Sequence, residues 1–135
     1  MYAMRNILLT IAIILFSSIG WTQQKESEII ANAFITGDVS SIANYFPANL
    51  DMTVIETEDV FSKAQAIQIL NQFFKKNQPT NFIIKHQGSS QNNDFYQIGT
   101  LKTSNGDYRV TYFIRKDGGE ILLKRLRIES NEADF

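Results

Sequence analysis

The chain has no cysteine, and this one absence removes disulfides, thiol nucleophiles, thiolate metal sites and the lipid-bearing cysteine of a bacterial lipoprotein together. A single histidine, His86, supplies all the imidazole there is. With the acids scattered, no ligand spacing of a zinc site or a calcium loop can be read, so neither a metal nor a cofactor is expected. Positive charge is short as well. A net charge of -1 leaves no overall field to displace counterions from phosphates, which argues against a nucleic-acid partner. There is no glycine-rich phosphate loop and no serine in a nucleophile-elbow context. No apolar run reaches the ~20 residues that carry a helix across a bilayer. What remains, 135 residues with 44% hydrophobic content, fits one small globular domain.

The first segment is of a different kind from the rest. Arg5, the apolar run from Ile7 to Phe16 and the small residues Ser17, Ser18 and Gly20 follow the charged, apolar and small-residue zones of a secretory signal peptide. The apolar stretch is too short to span a membrane, so cleavage near Gly20 to Gln23 is expected rather than anchoring. This predicts a signal peptide over residues 1–22, a folded domain over 23–130 and a frayed acidic tail over 131–135. It also predicts export to the periplasm or beyond, with no stable membrane span after cleavage.

From Lys25 the spacing turns helical, with Ile29, Ile30, Ala33 and Phe34 on one stripe and Gly37 as the stop. Asp38 is placed to cap a short second helix whose Val39, Ile42, Ala43 and Phe46 repeat at i, i+3, i+4 and i+7. Leu50 to Ile55 alternates as a strand, and Glu56, Glu58 and Asp59 read as a solvated turn after it. Ser62 and Gln65 form a capping box for a third helix with Ala66, Ile67, Leu70, Phe73 and Phe74 as its buried stripe. A serine with that role is a cap before it is a nucleophile partnered by Lys63.

The second half carries four strands rich in β-branched and aromatic residues: Phe82 to Gln87, Phe95 to Leu101, Tyr108 to Arg115 and Ile121 to Ile128. Between them stand Gln91-Asn92-Asn93-Asp94, Asn105-Gly106-Asp107 and Asp117-Gly118-Gly119, which is hairpin chemistry. Two glycines before Glu120 make a hairpin sooner than a calcium site. Helices on one face of a curved antiparallel sheet make an α+β roll, a form that commonly encloses a conical cavity.

Taken together, Phe61-Ser62-Lys63-Ala64-Gln65-Ala66, Phe73-Phe74, His86-Gln87-Gly88-Ser89, Ile98-Gly99-Thr100-Leu101, Tyr108-Arg109-Val110 and Leu126-Arg127-Ile128-Glu129 carry a resemblance. The chain, from about Lys25 to Glu129, resembles the secreted domain of unknown function 4783 family of Bacteroidota, within the nuclear-transport-factor-2-like (NTF2-like, cystatin-like) superfamily. The resemblance implies the fold and an envelope address. It brings no catalytic residues, because the family has no assigned activity.

Candidate sites follow from alternation. Phe34, Phe74, Ile84, His86 and Tyr112 are assigned to a pocket between helices and sheet that would suit a small apolar ligand. His86 is in phase with Phe82 and Ile84, so a period of two points it inward, as a neutral core or pocket-rim residue before a catalyst. Oriented by Asp38, Asp51, Glu56 or Glu58, it could serve as the base of an isomerase or dehydratase of the ketosteroid-isomerase-like type. The apolar lining of the pocket weighs against that. On the opposite face, Ile83, Arg109, Phe113, Arg115, Leu123, Arg125 and Arg127 form a mixed apolar and cationic surface, with Ile121 and Lys85 beside them. Arginine with aromatics is the composition of protein interfaces, so this face is expected to support a homodimer unless the arginine stems merely cover the apolar groups. The reading is a non-enzymatic ligand- or protein-binding module of the cell envelope.

Overall fold

A computed structural model describes residues 21–89 and 94–131. The expected signal peptide, apart from Trp21 and Thr22, the turn residues Gln91 to Asn93, and the tail after Asn131 lie outside the described residues. Helix α1 (Trp21–Thr36) begins earlier than Lys25 and is followed by α2 (Val39–Ala43). Asp38 caps α2 by accepting from the Ser41 amide. Ile30, Ala33 and Phe34 of α1 are buried, whereas Ile29 is exposed rather than part of the stripe.

Strand β1 (Asn49–Val54) turns through Ile55, whose φ of 59° is unusual for a β-branched residue, into β2 (Thr57–Ser62). The expected acidic turn is thus a strand. Its polar residues sit at a sheet edge and are mostly exposed, so burial left no alternation in its sequence. The capping box forms as expected: Ser62 Oγ accepts from the Gln65 amide at 3.2 Å and Gln65 Oε1 accepts from the Ser62 amide at 3.1 Å. It opens α3 (Lys63–Lys76), which buries Ala66, Leu70, Phe73 and Phe74.

Strands β3 (Pro79–Ser89), β4 (Asp94–Thr103), β5 (Gly106–Asp117) and β6 (Glu120–Ser130) complete one six-stranded sheet in the order β2-β1-β6-β5-β4-β3. Strands β3 to β6 form the expected antiparallel meander, and β1, antiparallel to β2, joins it by running parallel to β6. Gly118 and Gly119, with φ of 57° and 89°, make the β5–β6 hairpin turn that L side chains resist.

Two bulges set which side chains face the helices. Ile84 pairs with Gly99 but His86 pairs with Ile98, leaving Lys85 as an extra residue. Ile114 pairs with Leu123 but Phe113 pairs with Arg125, leaving Lys124 extra. Each bulge places two consecutive side chains on one side and reverses the phase beyond it. The inner face then presents Phe82, Leu101, Val110, Tyr112, Ile114, Leu123, Leu126 and Ile128, all buried, to the helices. Leu123 is fully buried there, contrary to its expected place on the outer face, and Leu122 takes the outward position. The freed phase is used: the Leu123 amide donates to the Tyr45 carbonyl at 2.7 Å.

Candidate functional site

The interior between helices and sheet is closed by aromatic rings. Phe34 stacks on Tyr112 with centroids 5.9 Å apart and also touches Phe82 at 5.4 Å and Phe74 at 6.1 Å. Phe34 and Tyr112 are wholly buried, Phe74 nearly so, and Ile84 is half-buried against the same cluster. Four of the five expected pocket residues do meet, but as packed core. A small apolar ligand here would have to displace these rings.

One polar chain runs through this core. The Tyr112 hydroxyl donates to Gln97 Oε1, with the Ser27 carbonyl 3.4 Å away, and Gln97 Nε2 donates to Gln87 Oε1 at 3.0 Å. Burial pushes the Tyr112 hydroxyl above its ordinary pKa of 10, so it stays protonated and serves as a donor. Gln97 is nearly fully buried and was not singled out from the sequence. The available signal was its place in phase with Phe95 and Gly99.

His86, the fifth expected pocket residue, is on the other side of the sheet. The Lys85 bulge turns it outward opposite Ile98, and it is exposed. Among the described residues no carboxylate is hydrogen-bonded to its ring, so neither the cavity nor the orienting acid of an isomerase base accompanies it. Among the described residues no group of three or more His, Cys, Asp or Glu could hold a metal ion.

The outer face carries Ile83, Arg109, Phe113, Arg115, Arg125 and Arg127, as the two-residue period requires once the bulges are counted. Tyr96 and Phe113 pair across β4 and β5 with ring centroids 6.0 Å apart, and both are half-buried. Three of the arginines lie against this chain's own carboxylates: Arg125 Nε is 2.8 Å from Asp51, Arg127 Nε 3.1 Å from Glu129, and Arg115 Nε 2.9 Å from Asp94. Lys124 Nζ adds a second cation to Asp94 at 3.3 Å. The hydrogen bond from Arg115 holds the Asp94 carboxyl below its ordinary 3.8, against the opposing effect of burial.

Beside this network a groove of about 320 Å³ runs across β3, β4 and β5, with Lys85, His86, Thr100, Arg109 and Asn131 as its polar walls and Ile98 in its lining. A larger groove of about 490 Å³ lies between α2 and α3. Its carboxylate, Asp38, is already occupied as an acceptor for Ser40, for the Ser41 amide and for the Ser41 hydroxyl.

The domain of unknown function DUF4783 matches residues 27–129, which is most of the chain and nearly all of the described fold. The chain belongs to the DUF4783 family. A DUF4783 protein from Bacteroides ovatus is 27% identical with a TM-score of 0.70, covering 76% of this chain and 92% of its own. One from Bacteroides uniformis is 26% identical with a TM-score of 0.71, covering 77% and 95%. An uncharacterised cystatin fold protein from Novosphingobium aromaticivorans, at 14% identity and a TM-score of 0.56 over 81% of this chain and 98% of its own, shares the fold. No curated protein matches. This DUF4783 chain is therefore an α+β roll of the NTF2-like, cystatin-like kind, as the arrangement of its helices and sheet already indicated.

Proposed function

We propose that this DUF4783 protein is exported and works as a non-enzymatic docking module of the cell envelope, using the outer face of its sheet, with a second copy of the chain as the first partner. The observation that carries the reading is the Tyr96–Phe113 pair, half-buried on that face, with Ile98 two residues further along β4 and Leu122, opposite Arg115, on β6. Arg115 and Arg125, which border it, donate hydrogen bonds to the chain's own Asp94 and Asp51, so their stems are ordered beside an apolar centre. A partly covered apolar centre with an ordered polar rim is the layout of a protein interface. The interior, filled by its own rings, offers less to a ligand than this face offers to a protein.

Light scattering coupled to size exclusion tests the partner. The wild type is expected to run as a dimer and Phe113→Asp as a monomer with an unchanged circular dichroism spectrum. A wild type that stays monomeric at about 100 μM, well above the Kd of a standard-sized interface, removes the homodimer. Export is tested by N-terminal sequencing of the protein recovered from the envelope fraction, which is expected to begin between Trp21 and Gln24.

A further inference from the structure

We propose that β2 is a strand-addition edge for β2 of a second copy of this chain, and that Asp59 keeps this edge closed. The site is the end of the sheet rather than its outer face, so it stands apart from the docking reading.

The direction of the β2 amides is the first ground. Strand β2 ends the sheet and pairs only with β1. The Lys63 amide donates to the Ala48 carbonyl at 3.0 Å, which continues the register of Leu50 and Phe61 by one step. An antiparallel ladder alternates, so Leu50–Phe61 and Met52–Asp59 are its hydrogen-bonded pairs, and the amides and carbonyls of Glu58, Val60 and Ser62 point out of the open edge. Two of those amides already have acceptors in their own chain. Asp59 Oδ1 accepts from the Val60 amide at 2.8 Å, and Gln65 Oε1 accepts from the Ser62 amide at 3.1 Å. The strand at the opposite end of the sheet repeats the device: on β3, Asn81 Oδ1 accepts from the Phe82 amide at 2.9 Å. A side-chain acceptor folded onto an edge amide withholds the donor that an incoming strand needs.

The second ground is that this edge is its own complement. Two β2 strands placed antiparallel about a two-fold axis at Val60 set Val60 against Val60, Glu58 against Ser62 and Asp59 against Phe61, so no like charges stand opposite each other. In that register the Val60 amide of each copy donates to the Val60 carbonyl of the other, and the Glu58 amide to the Ser62 carbonyl, while the Ser62–Gln65 capping box stays intact. Val60 is 61% exposed, more than any other large apolar side chain among the described residues, and it is the side chain this pairing covers. An unrelated extended chain would need a matching sequence; a second β2 matches by symmetry. The Val60 amide enters the new ladder only when the Asp59 carboxylate releases it, which makes Asp59 the guard of the edge.

Amide hydrogen exchange along β2, followed by NMR on the intact protein at about 10 μM and about 300 μM, tests both halves of the proposal. In Asp59→Ala the Glu58 and Val60 amides should exchange at least about five-fold more slowly at the higher concentration, as the ladder between copies forms. In the wild type, and in Asp59→Asn, which keeps the acceptor oxygen, concentration should change them less than about two-fold. Adding Val60→Lys to Asp59→Ala sets two cations directly opposite and should abolish the effect. Both positions are exposed at the sheet edge, so the circular dichroism spectra should match that of the wild type. Asp59→Ala without concentration dependence, or the double variant with it, overturns the paired edge. A wild type that shows it overturns the closure, and Asp59→Asn behaving as Asp59→Ala overturns the hydrogen bond as the cause of closure. Association through the outer sheet face leaves the outward amides of β2 as they are, so loss of the homodimer and loss of this edge are read separately.

Discussion

An added methyl at Gly99 would meet ring carbons of Phe82 at 2.6 Å and the carbonyl oxygen of Ile83 at 2.8 Å. The ring can turn, but the carbonyl belongs to a paired strand and cannot. Gly99→Ala should therefore destabilise the fold by about 2 kcal/mol in urea titration, and Phe82→Leu should restore only part of the loss. Asp94 is the other residue with a defined consequence, because its carboxyl is 8% exposed and holds two cations. Its folded pKa lies below the ordinary 3.8. Between those two values the folded protein binds fewer protons than the unfolded chain, so stability rises with pH there. The contribution is complete above the unfolded value and disappears as pH falls through the folded one. The stability gap between wild type and Asp94→Asn should accordingly be widest near about pH 6 and close toward about pH 2, measured by urea unfolding at fixed temperature.

At the scale of elements, the two bulges separate what could be read from the sequence from what could not. Gly37, the Asp38 cap, the Ser62–Gln65 box and the glycine pair before Glu120 mark boundaries through local backbone chemistry, and the structure puts the corresponding ends there. Facing is a different matter, because a strand's phase is only as good as its continuity. Ile121-Leu122-Leu123 is apolar throughout, so nothing in it says which residue turns inward once Lys124 is inserted. His86 is expected in the interior for the same reason: its two-residue spacing from Ile84 is correct, and the bulge between them cancels it. Strand β2 escaped because an edge strand rich in Glu and Asp shows no alternation. The second bulge is directly testable. Leu123→Ala should cost about 3 kcal/mol and Leu122→Ala less than about 1 kcal/mol, whereas strict alternation from Leu126 would reverse the order.

For the molecule as a whole, the strand order places β6 between β1 and β5, with β2 and β3 at the edges. Native-state hydrogen exchange should be slowest at Val110, Tyr112, Leu126 and Ile128, buried in the two strands that hold each other along their full length, and fastest along β2. Equal protection in β2 would contradict that ordering. The position of β6 also bears on assembly. A chain that emerges N-terminus first can pair β1 with β2, and later β3 with β4 and β5, but these two pieces share no ladder of their own. Their backbones are hydrogen-bonded into one sheet only when Glu120–Ser130 arrives and slots between them, antiparallel to one and parallel to the other. The keystone of this protein is thus the last strand of its sheet to leave the ribosome, and a chain cut short before it would hold that sheet as two separate ladders.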